Sequence, residues 1–258
     1  MHRFYLSPER CAEKTLRLEG REAHHGLHVL RLQRDETVTV LDGAGNEYLC
    51  EVSQPSRDNV SLVVKEKKFT PPLPARITLL QAIPKGKIME SIIQKGVELG
   101  VSRIVPLVAD RVISQFADEG AEQKREKWRQ VAIAAIKQCG AAWLPRVMAP
   151  VSLDQYLRQP ESFDLSLVGS LQPERSHPRK YLEAFQQGQG RPPQTVGIWI
   201  GPEGDFTLEE LRAIEAAGAK PITLGRLVLR VETAAIYCLS FLNYELNSQI
   251  NLPTPPTG

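Results

Sequence analysis

Short apolar runs alternate with helix-forming segments along most of the chain, and this alternation constrains the fold more than any other feature. Five runs have the length of buried strands: RITLLQAI (76–83), RIVPLVA (103–109), DLSLVGS (164–170), TVGIWI (195–200) and PITLG (221–225). Helical periodicity is found between or after them, as in AEQKREKWRQVAIAAIKQC (121–139). Such alternation is typical of a mostly parallel sheet that is covered on both faces. The sequence therefore predicts an α/β fold for this region.

The first 70 residues have a different pattern, with short strands joined by turns. The segment TVTVLDGAGNEYLCEV (37–52) alternates and turns at residues 42–46, which predicts a hairpin, and NVSLVVKEKKF (59–69) predicts a further strand. The segment GREAHHGLHVLRL (20–32) favours a short helix entering a strand. Three prolines in FTPPLPAR (69–76) are typical of a linker. We therefore expect a small β-barrel over residues 1–70, an α/β domain over 75–248 and a disordered tail over 249–258.

Composition limits the class of protein and of partner. The chain has 258 residues, 42% hydrophobic and 24% charged content, and a formal charge of +2, which is ordinary for a globular protein without a global basic field. A local excess of Lys and Arg between Lys85 and Arg146 fits either a basic face or a solvated helix surface. No apolar N-terminal run resembles a signal peptide, and no stretch approaches the length of a membrane span. We expect a cytoplasmic protein.

The cysteines and histidines do not predict a metal site. No C-x-x-C pair and no H-E-x-x-H motif occurs, although His24 and His28 are four residues apart. The spacing of the cysteines suggests neither a zinc site nor a disulfide framework, and it fits a reducing compartment. The four cysteines are Cys11, Cys50, Cys139 and Cys238.

Three predicted strands end in glycine, at Gly169, at the Gly-Pro-Glu-Gly segment 201–204 and at Gly225. Thr207 and Glu210 form an S/T-x-x-E capping box, so segment 201–204 lies between a buried strand and a helix. Ligands of open α/β sheets bind beyond the carboxyl ends of the strands, where glycine lets the backbone approach closely. Dinucleotide and P-loop motifs are absent.

Each feature also has a purely structural explanation. Segment 201–204 is compatible with a simple turn in which Glu203 accepts hydrogen bonds from nearby backbone amides. Glu232 and Thr233 are compatible with a role in starting the last helix, and Arg230 with an ion pair to Glu232 or Glu203. The residues alone therefore indicate an α/β domain that binds an unidentified ligand.

Several motifs together resemble the SPOUT class of RNA methyltransferases, and within it the RsmE family, which methylates N3 of a uracil in 16S ribosomal RNA. The strongest are IGPEGDFTLEEL (200–211) and LGRLVLRVETAA (224–235). HHGLHVLRL (24–32), LDGAGNEY (41–48) and PKGKIMESIIQKGVELGVSRIVPL (84–107) match further family segments in the same order. The resemblance covers nearly the whole chain.

The resemblance implies a PUA-like β-barrel, an RNA-binding unit, followed by a SPOUT domain with a deep trefoil knot, an exception to the usual rule of unthreaded connections. It implies that S-adenosylmethionine is bound by three loops, at 169–171, 200–204 and 224–229. It also implies a homodimer that acts on the small ribosomal subunit. The implied cofactor-binding residues are Gly169, Leu171, Ile200, Gly201, Glu203, Gly204, Leu224, Gly225, Leu229 and Thr233.

The implied chemistry assigns two catalytic residues. Uracil N3 is a poor nucleophile while protonated, so the site must accept that proton or stabilise charge on the flanking oxygens. Arg230 is the candidate for charge stabilisation, and Glu232 is a candidate base or a group that orients Arg230. The target base is expected to leave the stack, and no metal is implied. Candidate contacts to the RNA backbone are Arg3, His28, Arg31, Lys85 and Lys87.

The chain departs from the usual family pattern at three places. Leu227 stands where relatives commonly have an arginine, and Asp205 follows Gly-Pro-Glu-Gly where they have glycine. The segment 137–141 reads Lys-Gln-Cys-Gly-Ala, where relatives tend to read Glu-Gln-Ser/Cys-Gly-Arg. These changes leave two alternatives open: a non-catalytic RNA-binding or ribosome-assembly protein, and a methyltransferase for another RNA or another atom.

Overall fold

The computed structural model describes residues 1–111 and 118–247, and it divides into two compact units. The first unit contains Met1–Pro72 and Gln130–Pro145. The second contains Leu73–Arg129 and the chain from Arg146 onwards. The predicted disordered tail, 249–258, lies outside the described residues.

The first unit contains a five-stranded sheet. Its strands are β1 (His2–Tyr5), β2 (Thr15–Leu18), β3 (Thr37–Leu41), β4 (Asn46–Pro55) and β5 (Val60–Phe69). The order across the sheet is β1-β3-β4-β5-β2, with β1 parallel to β3 and the other pairs antiparallel. The predicted hairpin is thereby confirmed as β3 and β4. Alternate residues of the strands, among them Phe4, Leu16, Val38, Cys50 and Leu62, form the buried core.

The segment after β2 is helical but does not enter a strand, so that part of the prediction is wrong. Helix α1 (Gly20–His24) continues as a π-helical segment, His25–Leu30. Arg31 then adopts a left-handed conformation with φ 56°, and the Leu32 amide donates to the Gly26 carbonyl at 2.9 Å. This reversal closes the helix and buries the Leu32 side chain in the core, so its apolar character reflects core packing without strand pairing.

Residues 130–145 belong to the first unit, although the preceding residues 73–129 belong to the second. The amide of Leu144 donates to the Gly43 carbonyl at 2.9 Å, and that of Gly45 donates to Ala142 at 3.0 Å. The indole nitrogen of Trp143 donates to the Thr70 carbonyl at 2.9 Å. The turn between β3 and β4 is therefore held by backbone that is about 100 residues away in sequence.

The second unit contains a seven-stranded parallel sheet, which confirms the predicted α/β class. The strands are β6 (Arg76–Ala82), β7 (Arg103–Val108), β8 (Arg146–Val147), β9 (Val151–Ser152), β10 (Leu165–Gly169), β11 (Thr195–Ile200) and β12 (Lys220–Ile222). Their order is β12-β10-β11-β6-β7-β8, with β9 also paired to β7. The helices are α2 (Ile88–Glu98), α3 (Asp118–Cys139), α4 (Leu153–Arg158), α5 (Pro178–Gln189), α6 (Leu208–Ala216) and α7 (Val231–Asn247).

The central strands are buried on both faces, as their continuous apolar sequences predict. Ile77, Leu79 and Leu80 of β6 are all fully buried, and β11 is buried from Val196 to Ile200. Helices α2 and α7 pack against each other, and α7 also packs on β6 and β11. The side-chain oxygen of Asn247, near the end of α7, accepts the Ala75 amide at 2.9 Å.

The remaining fold predictions have different outcomes. The capping box of α6 is confirmed, with Thr207 Oγ1 accepting from the Glu210 amide at 3.2 Å and Glu210 Oε2 from the Thr207 amide at 2.7 Å. The trefoil knot stays a prediction. Within the described residues, no helix has the length and apolar character needed to cross a membrane.

Candidate functional site

The three strand ends that were predicted to carry glycine meet at one edge of the parallel sheet, but β12 ends at Ile222, so Gly225 lies in the loop after it and not at the strand end as predicted. Strand β10 lies between β11 and β12, with Val168 opposite Trp199 and Gly169 opposite Ile222. Because all three strands are parallel and in this register, their carboxyl ends lie side by side. The loops that follow them are therefore brought together by the sheet itself.

These loops enclose a cavity of about 460 Å³. Eight of the ten predicted cofactor-binding residues line it, together with both predicted catalytic residues, Arg230 and Glu232. The exceptions are Gly204 and Thr233, which are exposed and are not among its lining residues. The eight are Gly169, Leu171, Ile200, Gly201, Glu203, Leu224, Gly225 and Leu229.

The lining also includes residues that the sequence analysis did not name individually, although Ser170 and Arg226 lie within two of the loops it assigned to the cofactor. Ile88 is the first residue of α2, and Arg226 lies in the loop after β12. Ser170 and Arg175 lie in the segment after β10, and Asp205 in the loop after β11. Arg175 follows a glycine-bearing strand end by six residues, which is the only sequence signal that could have indicated it. Asp205 stands out in the sequence only as a departure from the family pattern.

The loop after β11 is a tight turn in which glycine is sterically needed. A Cβ atom on Gly201 would lie 3.0 Å from the Phe206 amide nitrogen and 3.0 Å from Asp205 Oδ1. The Asp205 amide donates to the Pro202 carbonyl at 2.9 Å, and Asp205 has φ 62°. The turn thus places its backbone beside the cavity, and its first residue, Gly201, has no side chain that would clash with the rest of the turn.

Glu203 has a clear structural partner. Its Oε1 atom accepts the backbone amide of Lys85 at 2.9 Å, as the structural explanation of this residue anticipates. This bond ties the segment between β6 and α2 to the loop after β11. Lys85 and Lys87 are exposed on that segment, and the adjacent Ile88 lines the cavity. Two predicted RNA contacts are therefore located beside the cavity.

The loop after β12 is the most exposed wall of the cavity. Leu227 and Val228 are 80% and 76% exposed. Arg230 is also exposed, and no carboxylate of the described chain forms an ion pair with it, so the pairs with Glu232 or Glu203 considered from the sequence are not formed. The Arg230 carbonyl accepts the Ala234 amide at 2.8 Å, which fixes its backbone at the start of α7.

Glu232 lies in the first turn of α7 and is half-buried. The amino end of a helix carries partial positive charge, which stabilises a carboxylate there. The side chain also lines the cavity. Its position therefore fits both the structural role in helix initiation and a chemical role towards a bound ligand.

The other predicted RNA contacts lie in the first unit. Arg3 donates from Nη1 to the carbonyls of Lys137 and Gln138 at 3.3 and 3.2 Å, so its guanidinium serves the end of α3. His28 and Arg31 are exposed, and the His28 ring lies 4.8 Å from that of His24. The Arg3 guanidinium therefore has hydrogen-bond partners within the chain.

Metal-binding features are weak in the described part of the chain. No group of three or more His, Cys, Asp or Glu side chains there could hold a metal ion. Burial raises the pKa of the Cys11 thiol to about 11 and that of the Cys50 thiol to about 12. Both thiols therefore stay protonated at neutral pH, and a protonated thiol is a poor metal ligand.

Known proteins resemble the chain over almost its whole length. Residues 71–243 match the RNA methyltransferase domain family, and residues 18–65 match the RNA methyltransferase PUA domain family. The ribosomal RNA small subunit methyltransferase E of Bacillus subtilis is 32% identical over 90% of each chain, and that of Synechocystis is 31% identical over 96% of this chain and 78% of the relative.

Solved structures show the same similarity. A methyltransferase from Legionella pneumophila with bound cofactor SAM superimposes with a TM-score of 0.84 at 33% identity, covering 94% of this chain and 97% of that one. The ribosomal RNA small subunit methyltransferase E of Neisseria gonorrhoeae, bound to S-adenosyl methionine, gives a TM-score of 0.82 at 27% identity. That alignment covers 96% of this chain and 99% of the other.

Proposed function

The chain belongs to the RNA methyltransferase family, and from that membership we propose that it transfers a methyl group from S-adenosylmethionine to N3 of one uridine in 16S ribosomal RNA. The observation that carries the proposal is the cavity at the carboxyl ends of β10, β11 and β12, with Arg230 and Glu232 in its wall. Relatives over most of the chain are ribosomal RNA small subunit methyltransferases. The small subunit is therefore the proposed substrate.

The residues that line the cavity fit S-adenosylmethionine. A volume of about 460 Å³ lies within the usual range of about 300–1,000 Å³ for sites that bind small molecules. Three loops line the cavity, and Ile88, Leu224 and Leu229 offer apolar surface for the adenosine part of the ligand. When bound, S-adenosylmethionine supplies an electrophilic methyl group on a sulfonium.

The chain has to align the uracil and manage its N3 proton. Arg230 carries a fixed positive charge with several donors, which suits stabilisation of negative charge on the carbonyl oxygens that flank N3. Its lack of an ion-pair partner in the described chain leaves the guanidinium available. Glu232 supplies an acceptor for the proton, or for a hydrogen bond that orients Arg230.

RNA binding is proposed to use exposed basic side chains and the exposed His28. Lys85 and Lys87 stand beside the cavity, and Arg31 and His28 are exposed in the PUA-like unit. Contacts of this kind bind phosphate and orient the RNA without reading its sequence. Arg3 contributes less directly, because its guanidinium already bonds two carbonyls. The target base has to leave its stack to reach N3, as for other enzymes that modify bases.

Homodimer formation is part of the proposal. Tyr237 and Tyr244 are seven residues apart on α7, so they share a face of that helix, and they are 48% and 71% exposed. A second copy would cover such aromatic surface. Light scattering after size-exclusion chromatography checks the mass of the complex.

A ribosomal RNA substrate also makes the cytoplasm the proposed location.

The decisive experiment supplies tritiated S-adenosylmethionine and small ribosomal subunits from cells that lack the modification. Label on N3 of a single 16S uridine is the expected result. Cofactor binding by calorimetry without any transfer, alongside an active control enzyme, would support the non-catalytic alternative instead. Label on another RNA or another atom would keep the methyltransferase activity and change its target.

The Arg230→Ala variant tests the catalytic assignment, and Arg212→Ala is the matched control. Arg212 is exposed on α6 and lies outside the cavity lining. We expect Arg230→Ala to abolish transfer and Arg212→Ala to transfer at the unchanged rate. Normal methylation by Arg230→Ala would remove this residue from the mechanism.

A further inference from the structure

The peptide unit between Ser170 and Leu171 is held on both sides by charged side chains of opposite sign. Arg175 Nη1 donates to the Ser170 carbonyl oxygen at 2.9 Å. Asp205 Oδ2 accepts the amide of Leu171 at 3.2 Å. The carbonyl and the amide belong to the same peptide plane, so the two bonds together fix its rotation. All four residues line the cavity.

The same short segment connects all three strand ends. The Ser170 amide donates to the Ile222 carbonyl of β12 at 3.1 Å, and the peptide that follows is tied to the loop after β11 through Asp205. Ser170 is 5% exposed, whereas Leu171 is 51% exposed. The Ser170–Leu171 peptide therefore joins a buried residue, which is fixed to β12, to an exposed residue in the wall of the cavity.

Asp205 is itself held rigidly. Its Oδ1 atom accepts the Phe206 amide at 2.8 Å, and its own amide donates to Pro202 at 2.9 Å. Its φ of 62° lies in the left-handed region, where aspartate and asparagine are accepted more readily than other residues with a side chain. The carboxylate is thus a fixed bridge from the loop after β11 to the segment after β10.

Arg175 has no carboxylate partner in the described ranges 1–111 and 118–247, although it is half-buried. Partial burial of a charge is unfavourable unless polar groups compensate for the lost water. The Ser170 carbonyl provides such compensation for the Arg175 guanidinium. The position of the guanidinium therefore depends on the orientation of that one peptide.

We infer that Asp205 and Arg175 are positioning residues that hold the Ser170–Leu171 peptide in the orientation required for cofactor binding. The inference rests on the proposed function for the identity of the ligand, S-adenosylmethionine. A glycine at this position would have no side chain that could accept the Leu171 amide. The two side chains therefore pre-form this wall of the cavity in the absence of ligand, which lowers the ordering cost of binding.

The Asp205→Gly variant removes the bridge and also relaxes the left-handed backbone, whereas Asp205→Asn keeps an acceptor at a φ that asparagine tolerates. In Asp205→Gly we expect the Leu171 amide of the free protein to exchange about tenfold faster, and the Kd for S-adenosylmethionine to rise about tenfold, as for loss of one charge-assisted hydrogen bond. The KM for ribosomal RNA is expected to stay unchanged. Asp205→Asn is expected to restore most of the exchange protection and the affinity.

Two further variants separate positioning from folding. Arg175→Met removes the donor to the Ser170 carbonyl while keeping an unbranched apolar stem, and it should raise the same Kd. Combined with Asp205→Gly, it should add less than its single effect, because both act on one peptide. Glu174→Gln is the matched control: Glu174 is exposed on the same segment and does not line the cavity.

The outcomes are distinguishable. Unchanged Leu171 exchange and unchanged Kd in Asp205→Gly would overturn the inference, and so would a lower melting temperature without a change in either. If the unaltered protein does not bind S-adenosylmethionine, the proposed function fails, while the exchange of Leu171 in the free protein still decides whether Asp205 holds the peptide.

Discussion

The ion pair between Glu22 and Lys137 should stabilise the first unit more than an ordinary surface pair. Lys137 Nζ lies 2.8 Å from Glu22 Oε1, and the side chains are only 19% and 18% exposed. Glu22 Oε2 also accepts the Tyr5 amide at 3.2 Å, and Lys137 Nζ lies 5.9 Å from the centre of the Phe4 ring.

The structure sets the expected magnitude. Two unit charges at about 4 Å attract with about 4 kcal/mol at an effective dielectric of about 20. Desolvation of both groups offsets much of this attraction, which leaves a coupling energy of about 1–3 kcal/mol. For a chain of this length, each kcal/mol corresponds to a melting-temperature change of about 2–4 °C. Lys137→Glu should be more harmful than Lys137→Met, because it places a second carboxylate beside Glu22.

A double-mutant cycle with Glu22→Gln and Lys137→Met measures the coupling by denaturant unfolding. Glutamine retains an oxygen that can accept the Tyr5 amide, so the cycle reports mainly on the charges. The pair Lys95–Glu98 on α2 is the matched control: its atoms are 3.0 Å apart, but its side chains are 44% and 27% exposed. We expect about 0.5 kcal/mol or less for that pair. An equally small coupling between Glu22 and Lys137 would refute the argument from burial.

Three further predictions concern the second unit. Arg230→Ala should bind S-adenosylmethionine within about tenfold of the unaltered protein, roughly 1.4 kcal/mol by calorimetry, because its proposed role is towards the uracil and not the cofactor. Hydrogen bonds from Arg191 and from backbone amides lower the pKa of Asp164 to about 2. The stabilisation that the Asp164 carboxylate contributes is therefore present above about pH 4 and is lost as the pH falls towards 2. Asp164→Asn should flatten that part of the plot of unfolding free energy against pH, as measured by acid unfolding. Gly201→Ala should weaken cofactor binding, because its Cβ would lie 3.0 Å from a backbone nitrogen, whereas Gly188→Ala, with no atom within 4 Å of its Cβ, should not. Equal cofactor affinities in the two glycine variants would contradict the steric argument.

Features that depend on local sequence could be predicted well. The strands β6, β7, β10 and β11 follow from continuous apolar runs, and the capping box of α6 from the spacing of Thr207 and Glu210. The position of a glycine at or shortly after three of the predicted strands could also be read from the sequence. In each of these features, the structure is determined by contacts within a few residues or by burial of a whole segment.

Features that depend on distant partners could not be predicted. Strands β8 and β9 have two residues each, too few for a periodic pattern, and they exist because β7 supplies hydrogen-bond partners. The Glu210 carboxylate caps its own helix and also accepts the Asp110 amide at 2.8 Å, about 100 residues away in sequence. The cavity residue Arg175 has the same character, because its role depends on the register that aligns the strand ends.

The cavity depends on strand pairing more than on exposed side chains, and this indicates which departures from the family pattern the site can tolerate. The innermost walls of the cavity are strand ends and backbone, and their positions are set by the pairing of β10 with β11 and β12. A side-chain change in the outer wall, such as Leu227, leaves that pairing intact, since 80% of this side chain is exposed. The proposed cofactor site can therefore persist while the exposed surface around it changes. Asp205 differs from Leu227 because its carboxylate joins two of the loops, and a substitution there changes the cavity itself.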